Sequence, residues 1–266
     1  MELTVDRQPV FACTGAQSLE PNRSTIVFIH GAAMDHSIWM LQSRYLAHHD
    51  YNVLAVDLPG HGRSGGKPLL SVSAIADWID RLLAAAGLEQ AALVGHSMGS
   101  LAVLEAGARH PDRVWAVGLL GTAVPMPVSK PLLAAAKANE HAALDMVNFW
   151  SHSSRTHLGG SPIPGLWLTG LGIRLLERAP PGVLYNDLKA CHDYQDGLES
   201  AAKVHCPALL ILGCQDLMTP PRAARELLAA LQSASSIILA GCGHMLSTEC
   251  PREVLAALVD FFRRGS

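Results

Sequence analysis

Six short apolar runs, rich in β-branched residues, constrain the fold of this chain most. They lie at 25–30 (TIVFIH), 52–57 (NVLAVD), 91–95 (AALVG), 114–120 (VWAVGLL), 208–213 (ALLILG) and 236–240 (SIILA). They do not alternate polar with apolar residues, so they suit strands buried on both faces of a parallel sheet. Segments with helical spacing fall between them. Val72, Ile75, Ala76, Ile79, Leu82, Leu83 and Ala86 share one helical face, and Gly87 follows as a stop. Residues 98–109 are rich in Ala and Leu and end before Pro111. Residues 221–231 and 251–262 each open on proline, which suits a first helical turn. Strands alternating with helices imply right-handed βα crossovers. Residues 3–5 and 10–12 read as a hairpin around 6–9.

The rhythm breaks once, between about 123 and 203. That stretch carries helical patches at 131–150 and 184–192 and a Gly/Pro-rich tract at 159–172 (GGSPIPGLWLTGLG). Its many Leu, Ile and Trp residues argue against a solvated linker. It reads as a mainly helical insertion over the sheet, with 1–122 and 204–266 as the core. With 266 residues and 49% hydrophobic content the chain can bury one large core. A net charge of -3 leaves no basic footprint for nucleic acid or an anionic membrane. No apolar run reaches the roughly 18 residues of a membrane span. Residues 1–9 (MELTVDRQP) lack the basic and apolar regions of a secretory leader. A cytoplasmic protein with six free cysteines is therefore expected.

The strongest chemical signal is Gly95-His96-Ser97-Met98-Gly99, between an expected strand and an expected helix. A serine on so sharp a turn points its hydroxyl away from the sheet, where a substrate can reach it. The flanking glycines remove side chains that would clash there. A serine hydroxyl needs a base. His244, in Cys242-Gly243-His244-Met245, follows the last expected strand and precedes the last helix. The base needs a carboxylate to hold its tautomer. Asp216 follows the strand at 208–213. Loops at the carboxyl ends of parallel strands are where such sites assemble. The fourth element is His30-Gly31-Ala32-Ala33, just past the strand at 25–30. A developing oxyanion needs two donors. The backbone N–H groups of Met98 and Ala32 are the expected pair, with Ala33 in place of Ala32 if the turn is offset by one.

With these motifs the sequence resembles the α/β-hydrolase superfamily. The stretches HGAAMDHSIW (30–39), DLPGHGRSGG (57–66), GHSMGS (95–100), GCQD (213–216) and GCGH (241–244) carry the likeness, which spans about 25–265. The resemblance implies a mostly parallel eight-stranded sheet flanked by helices, with a helical cap inserted after the sixth strand. It implies a Ser97–Asp216–His244 triad, and a structural role for the loop at 57–64. Relatives that open epoxides or displace halide carry aspartate where this chain has Ser97, so acyl transfer is expected. Neither His48-His49 nor His152 and His157 have the spacing of a zinc site, and no metal or other cofactor is expected. The pocket is expected to be apolar, lined by Ala33, Met126, Trp150, Trp167, Leu217 and Met245. A small or medium carboxylic ester with an apolar acyl or alcohol part is the first expected substrate. Carbon–carbon cleavage of ring-fission diketones, lactone opening and perhydrolysis use the same triad. A ligand sensor on this fold is the reading of another class.

Overall fold

A computed structural model describes residues 1–265. Eight strands form one sheet: β1 (Glu2–Val5), β2 (Gln8–Cys13), β3 (Thr25–Ile29), β4 (Asn52–Val56), β5 (Ala91–His96), β6 (Val114–Leu120), β7 (Ala208–Gly213) and β8 (Ala234–Leu239). Their order is β1-β2-β4-β3-β5-β6-β7-β8. The expected hairpin is β1–β2, and β2 runs antiparallel to β4. From β4 to β8 every neighbouring pair is parallel. This is the mostly parallel eight-stranded sheet that the resemblance implies.

The helices are α1 (Met40–Ala47), α2 (Val72–Ala85), α3 (Met98–Arg109), α4 (Lys130–Lys137), α5 (His141–Ser151), α6 (Ser154–His157), α7 (Leu168–Glu177), α8 (Val183–Asp193), α9 (Gly197–Lys203), α10 (Arg225–Ala230), α11 (Leu246–Glu249) and α12 (Pro251–Gly265). Among the described residues no helix is long and apolar enough to cross a membrane. Ser266, which the sequence reading placed in the core, lies outside the described residues.

Successive side chains of a strand point to opposite faces, so each central strand feeds two cores. Val27 and Ile29 of β3, with Leu93 of β5, pack with α2 and α3. Ile26, Phe28 and Val94 pack on the other face with α12 residues such as Val254 and Phe262. The apolar stripe of α2 lies in the first core, and its first turn is capped by Ser71, which accepts from the Ala74 N–H. β8 departs from the buried strand expected at 236–240. It is the edge strand, with no outer neighbour among the described residues, and Ile238 is 57% exposed.

Between β6 and β7 lie α4–α9. The patch expected as one helix at 131–150 is two, α4 and α5. Asn139 breaks it: φ is +53°, and its side chain accepts from the Gly182 N–H instead of continuing the helix. The end of the Gly/Pro-rich tract is helical, as the start of α7. Leu132, Val147, Leu176, Leu184 and Leu188 form a third apolar cluster, which Ala33 joins from the loop after β3. The helix expected at 221–231 starts as a 3-10 turn, Pro221–Ala224, and becomes α10. All six cysteines are free thiols.

Candidate active site

Ser97 sits between the end of β5 and the start of α3, with φ +54° and ψ -118°. This is strained for a residue with a β-carbon, and such strain clusters at functional sites. The turn exists because its neighbours are glycine. A β-carbon on Gly95 would lie 2.1 Å from the Gly99 carbonyl oxygen, and one on Gly99 would lie 2.5 Å from that of Ile29. The elbow thus touches β3 backbone to backbone. Met98, the first residue of α3, has an N–H without an acceptor inside the helix.

His244 and Asp216 come from the loops after β8 and β7. His244 Nδ1 lies 2.7 Å from Asp216 Oδ2 and donates to it, which leaves the lone pair on Nε2. That Nε2 is buried with no hydrogen-bond partner among the described residues. Asp216 is fully engaged. Its Oδ1 accepts from the N–H groups of Met218 and Thr219, and its Oδ2 also accepts from the Thr219 hydroxyl. Burial alone would raise its pKa. The His244 ring and the Thr219 hydrogen bonds overcome that and hold it at about 2. Asp216 and His244 are 3% and 2% exposed, and Ser97 is 9% exposed.

Two further histidines brace the loops. His96 Nε2 donates to the His244 carbonyl at 2.8 Å and so fixes the loop that carries the candidate base. Burial first, and the neighbouring His244 second, push the pKa of His96 down to about 3, so the ring is neutral. His30 Nδ1 donates to the Gly31 carbonyl, while its Nε2 accepts from the Leu58 N–H. It ties the loop after β3 to the 57–64 loop. That loop is held by Asp57, whose Oδ2 accepts from Arg63 N–H and whose carbonyl accepts from Ser64.

Ser97, His244 and Ala32 line one cavity of about 340 Å³. Its floor also carries Gly31, Met34, His96 and Thr219. Its roof comes from the helical insertion: Met126 and Val128 before α4, Val147 and Trp150 of α5, and Leu188 of α8. Leu217 and Met218 close one side. Among the described residues no Lys, Arg, Asp or Glu lines it.

Of the residues expected to line the pocket, Met126, Trp150 and Leu217 line this cavity. Three others do not. Met245 points into the core beneath β7 and β8, because α11 starts one residue later and turns it inward. Trp167 is 72% exposed: it stands just before α7, with its ring laid over Gly170 of that helix. Ala33 is buried in the cluster beneath the insertion and lies outside the cavity wall. Its N–H donates to Asp187 Oδ2 at 2.8 Å, so it is not the offset oxyanion donor. Gly31, Ala32 and Met34 of this loop line the cavity, and the Met34 N–H is already bonded to the Gly31 carbonyl.

The sequence reading missed Thr219 and two buried acids. Thr219 stands three residues past Asp216, the spacing of a side chain folding back on its own turn. Asp187 of α8 shares its helical face with Val183 and Cys191, and a lone acid on an apolar stripe is a signal in itself. Glu249 of α11 accepts from the N–H groups of Gly243 and Ser153 and from the Thr156 hydroxyl. It joins the His244 loop to α6. The backbone N–H groups of His244 and Met245 also donate to the Ser151 carbonyl.

The sequence model of the alpha/beta hydrolase family matches residues 26–258. A pimeloyl-[acyl-carrier protein] methyl ester esterase of Chromobacterium violaceum is 30% identical over 215 residues, 79% of this chain and 82% of that protein. An (E)-2-((N-methylformamido)methylene)succinate hydrolase of Acinetobacter baylyi is 25% identical over 239 residues, 88% of each chain. The solved enol-lactonase from Burkholderia xenovorans LB400 shares the fold, with a TM-score of 0.86 and 22% identity across 99% of this chain and 100% of that one. With a family match over most of its length and a sheet of the matching topology, this chain belongs to the alpha/beta hydrolase family.

Proposed function

We propose that the protein is a serine hydrolase that cleaves small, uncharged carboxylic esters through an acyl-enzyme. One observation carries the reading: a buried, unpartnered His244 Nε2 shares an uncharged cavity with Ser97, while Asp216 holds the other ring nitrogen. In this mechanism His244 Nε2 takes the Ser97 proton as Oγ attacks the ester carbonyl. The N–H groups of Ala32 and Met98 stabilise the oxyanion, and the positive end of α3 adds to them. The proton on Nε2 passes to the departing alcohol oxygen, leaving an acyl-Ser97. Water, activated by the same nitrogen, then releases the acid. No metal or organic cofactor is required for these steps.

The cavity argues for the substrate class. Its volume of about 340 Å³ lies at the small end of ligand pockets. Its wall of Met, Val, Leu and Trp side chains offers apolar contact and no cation for a substrate carboxylate. A substrate bearing a free acid would lose hydration there without an ion pair in return.

The test is initial rates on p-nitrophenyl esters of rising acyl length, with Ser97→Ala as blank. The expected result is steady multiple turnover with an optimum at short to medium length. A neutral methyl ester should also be preferred to the monoester of a dicarboxylic acid of equal length by at least about 10-fold. Turnover by Ser97→Ala would overturn the serine mechanism. Preference for the charged monoester would overturn the substrate class.

A further inference from the structure

The loop that bears Ala32 is not held by the sheet alone. Ala33 has φ +55°, a left-handed conformation that residues with a β-carbon rarely adopt. Its N–H is bonded to Asp187, which is 154 positions away in α8 and 1% exposed. The same carboxylate oxygen accepts from His61 Nε2 at 2.8 Å. The other carboxylate oxygen accepts from Asn186 Nδ2, which also donates to the Leu69 carbonyl. His61 Nδ1 faces the Pro59 carbonyl at 3.0 Å. With an acceptor opposite each ring nitrogen, His61 carries both protons and is cationic. A buried ion pair thus spans three segments: the loop after β3, the loop at 57–64, and the helical insertion.

Cap packing does not require this arrangement. The apolar cluster of α4, α5, α7 and α8 already joins the insertion to the core, and a buried ion pair is weak evidence for stability. What the carboxylate does uniquely is grip the backbone N–H of the strained residue next to Ala32. We propose that Asp187 is a positioning residue for the hydrolysis: by holding Ala33 in its left-handed turn, it aims the Ala32 N–H at the site of the developing oxyanion. The proposal rests on the serine hydrolase reading above.

Four proteins test it on one short neutral ester: wild type, Asp187→Asn, Asp187→Asn with Ala33→Gly, and Ser97→Ala. Asp187→Asn is expected to lower kcat by about 10- to 100-fold, below the roughly 10²–10³ of losing an oxyanion donor outright, with KM nearly unchanged. Glycine adopts the left-handed turn without help. Ala33→Gly is therefore expected to return several-fold of the lost kcat in the Asp187→Asn background. A loss that glycine does not repair would assign Asp187 to cap packing and overturn the proposal, as would an unchanged kcat in Asp187→Asn. If Asp187→Asn alone does not fold, the pair Asp187→Asn with His61→Gln replaces the ion pair by two neutral amides, and the same rescue by Ala33→Gly is read there. Activity in Ser97→Ala would sink the underlying mechanism, whereas an inactive Ser97→Ala with a fully active Asp187→Asn sinks the positioning role alone.

Discussion

The floor and the roof of the cavity are built by different means. On the floor, Ser97, His244 and the Ala32–Ala33 turn owe their positions to backbone. Glycines allow chains to touch, φ angles lie in the left-handed region, and carbonyls and N–H groups are gripped by His96, Asp187 and Glu249. On the roof, Val147, Trp150 and Leu188 are ordinary positions on amphipathic helices. The difference teaches that the floor should set rate while the roof sets selectivity. A turn that places a reacting atom tolerates little movement, whereas a helix face can exchange one apolar side chain for another.

The largest test of that division is Ser97→Ala. It is expected to cost at least about 10⁴-fold in kcat on esters while the far-UV spectrum stays native. If any single roof substitution costs as much, the division fails. Next comes Asp216→Asn, with an expected loss of about 10³–10⁴ in kcat. The wild-type pH profile sharpens this point. Asp216 is held at about 2, so it does not titrate between pH 4 and 9, and the acid limb of kcat/KM should fall with the slope of a single proton. A two-proton slope would mean that the carboxylate is not fixed as described.

On the roof, Trp150→Ala is expected to change kcat on the shortest ester by only a few-fold. It should move the optimum toward longer acyl chains, with about 10-fold discrimination gained or lost at the lengths affected. Kinetics across the acyl series would read both effects, and an unshifted optimum would remove Trp150 from the acyl wall.

The smallest expected effect lies where floor and roof are joined. Burial lowers the proton affinity of His61, but the Asp187 hydrogen bond and charge outweigh it, so its pKa is raised from an ordinary value of 6.5. A raised folded-state pKa stabilises the fold fully below the ordinary value and is lost as pH climbs through the folded one. The melting-temperature gap between wild type and His61→Gln should therefore be widest near pH 6 and narrow toward pH 9. A gap that widens with pH would show that the pair is not ionic.

The same division explains what the sequence made legible. Central strands are buried on both faces, so β3, β4 and β5 announced themselves as unbroken apolar runs. Ser97 and Asp216 could be located because each stands just past such a run, and His244 because it follows the apolar end of the exposed edge strand β8. The roof left a weaker trace. Sequence neighbours of a reactive residue need not face the cavity, as Met245 illustrates by packing inward. Tryptophan suggests a wall, yet Trp167 lies outside while Trp150 lies inside. No local pattern records that α8 crosses above the loop after β3. The contact between Asp187 and Ala33 was therefore invisible until the chain was folded, although an acid on an apolar stripe marked one end of it.

The left-handed serine has a wider consequence. Glycine at position 97 would adopt φ +54° without the strain a β-carbon imposes, which is of order 1–3 kcal/mol, partly offset by the greater freedom of glycine in the unfolded chain. An inactive Ser97→Gly protein should thus melt a few degrees higher than the active one. Under the proposed serine mechanism, the strain held at position 97 is stability given up for the reaction.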